Sequence, residues 1–172
     1  MNRISASRAT FAGLLLTFTL YASALPAQEA HDGTDTHSSE HSYHANTIGM
    51  FVGFATEDEG VRENGFALGL EYEYRINQRF GIGGVIERTG GDIDTWVYAI
   101  PFAYHNGSWK LYVAPGIEDG EHGSEDLIRF GVEYGFHFDK WEISPQLDLD
   151  IVDRDTEVWV LGVVFARGFE FK

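Results

Sequence analysis

Cysteine is absent from this 172-residue chain, proline occurs four times, and Lys+Arg total 12 against 27 Asp+Glu. The missing thiols exclude disulfides, thiolate metal centres and a lipid anchor carried on cysteine. The shortage of bases, with a formal net charge of −15, excludes the basic face that nucleic-acid recognition needs. It also excludes attraction of the whole chain to anionic headgroups by net charge. Long apolar runs are missing too, because nothing after residue 27 is long enough to cross a membrane as a helix.

The first residues do carry a short apolar run. Arg3 and Arg8 precede FAGLLLTFTLYASA, which ends in small residues, and this is the pattern of a secretory signal peptide. We expect residues 1–27 to be that signal, with cleavage after Ala22-Ser23-Ala24 or near Ala27. Its removal takes away two arginines and no acid, so the charge moves from −15 to −17. Roughly 145 residues then remain, one domain by length.

Residues 28–46 follow as a polar leader. HDGTDTHSSEHSYH places His31, His37, His41 and His44 among Asp32, Asp35 and Glu40. Neutral imidazole ligates Zn²⁺, Cu²⁺ and Ni²⁺, and His37 and His41 are spaced to share one face of a helix. Ser, Thr, Gly and Asp supply no apolar stripe to hold such a helix, so the reading is a disordered periplasmic tail. The tail is either a spacer or a weak metal chelator.

From Thr47 the chain alternates. In GFALGLEYEYR, Phe66, Leu68, Leu70, Tyr72 and Tyr74 share one face; Ala67, Gly69, Glu71, Glu73 and Arg75 share the other. Period two is the strand signal. It recurs over about 47–56, 65–76, 80–89, 95–105, 108–118, 126–138, 141–152 and 157–171. Each run is about as long as a tilted strand that crosses hydrocarbon.

The connections alternate as well. Tight ones (Ile76 to Arg79, around Asn106-Gly107, and Asp139-Lys140) alternate with longer acidic ones: TEDEGVREN, TGGDID, EDGEHGSED and DRDTE. On the bulky parity, Tyr72, Tyr74, Phe80, Tyr104, Trp109, Phe136, Phe138 and Trp141 gather at the tight-turn end, and Phe66, Trp96 and Trp159 at the loop end. Leu68, Ile82, Ile100, Val113, Val132, Leu147 and Val163 lie between. Two aromatic bands around an aliphatic middle form the girdle pattern of a transmembrane barrel.

With its signal, eight alternating runs and alternating loop lengths, the stretch 47–172 resembles the small outer-membrane barrels of the OmpX and OmpA type. The resemblance implies an all-β, eight-stranded, antiparallel up-and-down transmembrane barrel. It implies a Gram-negative outer membrane, a monomer, assembly by the outer-membrane machinery, and a leader and C-terminus in the periplasm. The likeness is architectural and carries no residue-level function. The chain departs from the pattern by ending FEFK, with Lys172 after the last aromatic. Pro101, Pro115 and Pro145 each remove a ladder donor, and local bulges are expected there. Arg167 sits on the bulky parity at the tight-turn end, where it can reach the interface.

The other parity holds small residues, with Glu71, Glu73, Glu87, Glu133, Glu142, Asp148 and Asp150 set against Arg75, Lys110, Arg129 and His137. An eight-stranded barrel is only just wide enough for its side chains to fill, so these charges must pair. The two-residue turn Asp139-Lys140 sets Phe138 opposite Trp141, His137 opposite Glu142, Glu133 opposite Gln146 and Arg129 opposite Asp150, with Asp148 diagonal. The expectation is one network, centred on Arg129 and including Asp148, Asp150, Glu133, His137 and Glu142, that plugs the lumen. Such a network serves stability alone or, as the alternative, a gated or proton-sensing path with His137 as the titrating member.

For chemistry, His105-Asn106-Gly107-Ser108 is the nearest approach to a hydrolytic set. It falls in a tight turn with no acid in the hairpin to orient His105, so no enzyme is expected. The acidic loop with Glu118, Asp119, Glu121, His122, Glu125 and Asp126 is the densest carboxylate patch and suits hard divalent cations. It lacks the spacing of a calcium loop.

The functional expectation is a non-catalytic outer-membrane protein with a structural or surface-interaction role. Its partners would be membrane lipid and lipopolysaccharide, and it would require no cofactor. The alternative is a porin-like narrow pore or a metal-linked transport accessory that binds divalent cations through the leader or the loops. A soluble lipocalin-like binder is disfavoured, since it would turn its bulky apolar face inward.

Overall fold

Alternation carries directly into strands in the computed structural model, which describes residues 44–58, 62–121, 123–153 and 156–170. The strands are β1 (Asn46–Asp58), β2 (Arg62–Arg75), β3 (Phe80–Gly91), β4 (Thr95–Ala99), β5 (Phe102–Asn106), β6 (Trp109–Gly120), β7 (Gly123–Tyr134), β8 (Phe136–Phe138), β9 (Trp141–Val152) and β10 (Thr156–Phe169). β4 and β5 are two parts of one stave, since both pair with β3 and β6 in one register, and so are β7 and β8, which continue one register against β9. Eight antiparallel staves result. They close into a barrel through β1 and β10, which pair from Asn46↔Phe169 to Glu57↔Val158.

The tight turns follow from local chemistry. In the four-residue turn after β2, Asn77 Oδ1 accepts from the amides of Arg79 and Phe80, a side chain standing in for a backbone turn. The turn after β5 lies one residue later than Asn106-Gly107 suggests. Asn106 pairs with Trp109, so Gly107 and Ser108 form the loop. Gly107 has φ +61°, and glycine at the first loop position suits a two-residue hairpin. In the Asp139-Lys140 turn, Asp139 takes φ +57°, which a short acidic side chain tolerates.

The prolines behave otherwise than expected, since no register shifts occur at them. Val85↔Ala99 and Ile82↔Phe102 lie in one register on either side of Pro101. Glu133↔Gln146 and Phe136↔Ile143 do so on either side of Pro145. The ladder is unbroken at Pro115↔Ile128. A bulge would insert a residue and change the register. Pro101 and Pro115 lose a donor and keep their carbonyls: Pro101 O accepts from Gly83 N, and Pro115 O from Ile100 N. The cost is therefore a missing donor with no shift of register.

Burial is inverted relative to a soluble barrel. Thirty large apolar side chains among the described residues are exposed, including Phe54, Leu70, Ile100 and Leu161. That far exceeds the few hundred Å² of apolar patch that a soluble monomer shows. Bulky groups at the loop end include the Phe54–Phe66 edge-to-face pair and Trp96 stacked on Tyr98. Phe80–Tyr104 and Trp109–Tyr134–Phe136 line the turn end.

Inside the barrel the residues are small, charged or selectively apolar. Gly53 faces Gly162 across the closing seam, and the ring of Phe51 lies over both. A Cβ on Gly53 would stand 2.5 Å from Phe51 Cζ, and one on Gly162 would stand 2.4 Å from Phe51 Cε2. The two glycines thus make room for the one phenylalanine that fills this part of the lumen.

Candidate functional site: the luminal ion clusters

Arg129 comes from the middle of β7, and the inward parity of that strand buries it to 1% exposure. Its Nε and Nη2 donate to the two oxygens of Asp150 at 2.6 and 2.7 Å. Its Nη2 and Nη1 donate to Glu87 at 2.9 and 3.2 Å, and Asp148 lies 3.6 Å from Nη1. Asp150 is the direct cross-strand partner, whereas Glu87 reaches over the lumen from β3. Tyr112 donates to Asp148 at 2.5 Å. Gln146 donates to Asp148 at 2.6 Å and to the Tyr112 hydroxyl at 2.8 Å. Every acid in this group is hydrogen-bonded, as buried charges require. Beyond it toward the loops, the inward residues Val97, Leu127, Val152 and Val158 are buried and apolar.

A second cluster fills the turn-end half. Lys110 Nζ meets Glu133 at 2.5 Å, Glu73 at 3.4 Å and Glu71 at 4.0 Å. Lys110 and Glu133 face each other directly on β6 and β7. Glu73 also receives Arg75 at 3.1 Å and His105 at 2.6 Å. Beside these groups lies a cavity of about 30 Å³, the space of one or two waters. Nearer the tight turns, His137 and Glu142 form a partly exposed pair at 3.1 Å, with the Ser144 hydroxyl on Glu142.

The single network expected around Arg129 is therefore divided. Asp148 and Asp150 belong to Arg129, Glu133 belongs to Lys110, and His137 and Glu142 pair with each other at the turn end. Glu87 and Lys110, expected among the inward charges, join these clusters although the expected Arg129 network omits them, and Tyr112 and Gln146 are further members outside it. His105 also differs from expectation. It is a buried residue of β5 rather than of the turn, and the acid beside it, Glu73, comes from β2, outside its hairpin. Among the described residues no hydroxyl is hydrogen-bonded to His105.

Among the described residues the acidic patch is split between two faces. Strand pairing continues almost to its tip, with Glu118 opposite Glu125, Asp119 opposite Ser124, and Asp126 opposite Ile117. Alternation sends Glu118 and Glu125 to the inner parity and Asp119 and Asp126 to the outer one, while Glu121 is exposed at the tip. No group of three His, Asp or Glu side chains positioned for a metal occurs among the described residues. His122, His31, His37 and His41 lie outside the described residues, as do the expected signal segment and Lys172. His44 is described and packs against Gly168, where a Cβ would strike its ring.

Comparison with known proteins supports the architecture. No family model matches the chain, and no curated protein matches it. Among solved structures, Neisserial surface protein A (NspA) aligns with a TM-score of 0.54 at 12% identity, over 73% of this chain and 97% of its own. Ail, the attachment invasion locus protein of Yersinia pestis, aligns with a TM-score of 0.46 at 19% identity, over 70% and 98%. The outer membrane protein OprG of Pseudomonas aeruginosa aligns with a TM-score of 0.44 at 14% identity, over 73% and 97%. The likeness to NspA shows the fold: a closed, eight-stave antiparallel barrel of the small outer-membrane type.

Proposed function

We propose that this chain is a non-catalytic outer-membrane protein with a closed lumen, acting as a structural or surface-interaction element. The tight turns and both termini would lie on the periplasmic side, and the acidic loops would meet lipopolysaccharide and the medium. The observation that carries the reading is the inversion of burial: Leu70 and Ile100 are exposed while Arg129, Glu87, Asp148 and Asp150 are buried. Such an arrangement is stable in hydrocarbon and unstable in water. The Arg129 cluster, with the apolar residues above it, fills the cross-section that an eight-stranded barrel leaves. Planar-bilayer recording of the refolded chain tests the closed lumen. The expected result is no stepwise conductance in molar salt; steady single-channel steps from wild-type protein would sink the structural reading in favour of a narrow pore.

A second reading, metal-linked transport, rests on the four histidines of the leader, His31, His37, His41 and His44. Zinc calorimetry on refolded protein with and without residues 28–46 tests it. Binding that disappears with the leader supports a chelating tail. Binding that survives moves the metal to the loops, and no binding in either form removes this reading.

A further inference from the structure

Two arginines stand on the outward face within the aromatic bands, and the protein treats them differently. Arg88, at the loop end, pairs with Asp94, donates to the carbonyls of Thr89 and Thr95 at 2.6 and 2.9 Å, and lies over Trp96. Its charge is met by protein. Arg167, at the turn end of β10, is exposed and directly opposite Trp141 on β9, with its guanidinium 5.3 Å from the indole centroid. Among the described residues no carboxylate pairs with it. Asp139 and Glu170 are the acids of this corner, and neither is engaged by Arg167 or Lys140.

Lys140 is the second cation here. It occupies the tight turn before Trp141, and its carbonyl accepts from Gly168, the residue after Arg167. That backbone bond places Lys140 in the turn alongside the end of β10, next to the residue that follows Arg167. On the hydrocarbon side the exposed Ile48, Met50 and Phe165 continue the surface. A guanidinium held by a ring face, with a lysine in the adjoining turn and exposed apolar side chains toward the hydrocarbon, matches a phosphate attached to acyl chains. Arginine's planar fork suits phosphate, and the aromatic band marks the depth of the headgroups.

We propose that Arg167, Lys140 and Trp141 form a binding site for the phosphate of an anionic glycerophospholipid in the leaflet next to the tight turns. The site deepens the membrane reading above and rests on it. On a chain this acidic, the pair supplies a local positive corner that retains lipid against the overall charge.

The test is native mass spectrometry of the full refolded chain released from detergent containing phosphatidylglycerol. Retained phosphatidylglycerol is expected to fall about five-fold in Arg167→Gln and by a similar factor in Lys140→Gln, given on the order of 1 kcal/mol per cation at a membrane surface. Arg88→Gln should retain lipid as wild type does, and Arg167→Lys should retain an intermediate amount. Unchanged retention in Arg167→Gln would overturn the site, as would an equal loss in Arg88→Gln. Displacement of the lipid by millimolar inorganic phosphate would show a site for free anions and overturn it too. Insertion of the same variants into vesicles, followed by heat-dependent gel migration, separates the two failures. A wild-type chain that never inserts contradicts the membrane reading. Variants that insert normally and keep their lipid contradict the site alone. If Arg167→Gln does not fold, Arg167→Lys decides, since full wild-type retention there overturns the role of the guanidinium.

Discussion

Replacing Arg129 with methionine is expected to lower the unfolding free energy of the vesicle-inserted barrel by about 3–5 kcal/mol, the cost of breaking a buried ion cluster by removing one partner. Three carboxylates, Glu87, Asp148 and Asp150, would be left facing one another with at most 1% exposure each. Tyr112 and Gln146 would still donate to Asp148, but nothing would neutralise Glu87 or Asp150 in the cluster. The measurement is the urea midpoint of refolded protein in lipid, read by gel migration. A companion variant separates charge from shape. Adding Glu87→Gln, Asp148→Asn and Asp150→Asn to Arg129→Met removes every charge and should recover most of the loss, because neutral replacement of a buried cluster is often tolerated. If Arg129→Met alone unfolds at the wild-type midpoint, the cluster contributes nothing to stability.

The second large effect concerns the opposite face. Leu70→Arg places a charge in the outward middle of β2, opposite Met50 and Ile86. In a bilayer the expected penalty is about 2–4 kcal/mol, the range for arginine at the midplane of a barrel. In water the same change at an exposed leucine would fall within about 0.5 kcal/mol. Leu70 is 61% exposed, so the variant discriminates cleanly between the two solvents. The midpoint of unfolding in vesicles is the readout, and an unmoved midpoint would contradict a lipid-facing belt.

The sequence disclosed these two faces unequally. The outward face is legible because period two sorts Leu68, Leu70 and Tyr72 from Gly69, Glu71 and Glu73 without reference to any other strand. The pairing of Arg129 with Asp150 is legible for a different reason. A two-residue turn at Asp139-Lys140 sets the register of the whole hairpin, and counting back from it reaches the right partners.

Lys110 opposite Glu133 obeys the same rule, yet it was hidden. EDGEHGSED looks like an open loop, whereas the strands continue to Gly120↔Gly123. Above the hydrocarbon the outward residues are polar, so the ladder persists after the hydrophobic alternation that reveals it has ended. Glu87 with Arg129, and Glu73 with His105, were beyond reach for a third reason. These side chains come from staves that are not neighbours, and which of them meet depends on the tilt and stagger of the closed barrel. Buried apolar residues on the inner parity, Phe51 and Leu127 among them, were masked by the charges and glycines around them.

The unshifted registers at the prolines bear on how the barrel is made. Every ladder except one joins staves that follow each other along the chain, so seven pairings are local hairpins that form with little loss of chain entropy. The pairing of β1 with β10 alone must bring the two ends of the barrel together, and it carries nearly the whole entropic cost of closure. Among the described residues no slip of register along the intervening staves makes that meeting easier. The burden falls on the long, regular seam and on the ring of Phe51 seated over Gly53 and Gly162, a contact that exists only once the first and last staves have found each other.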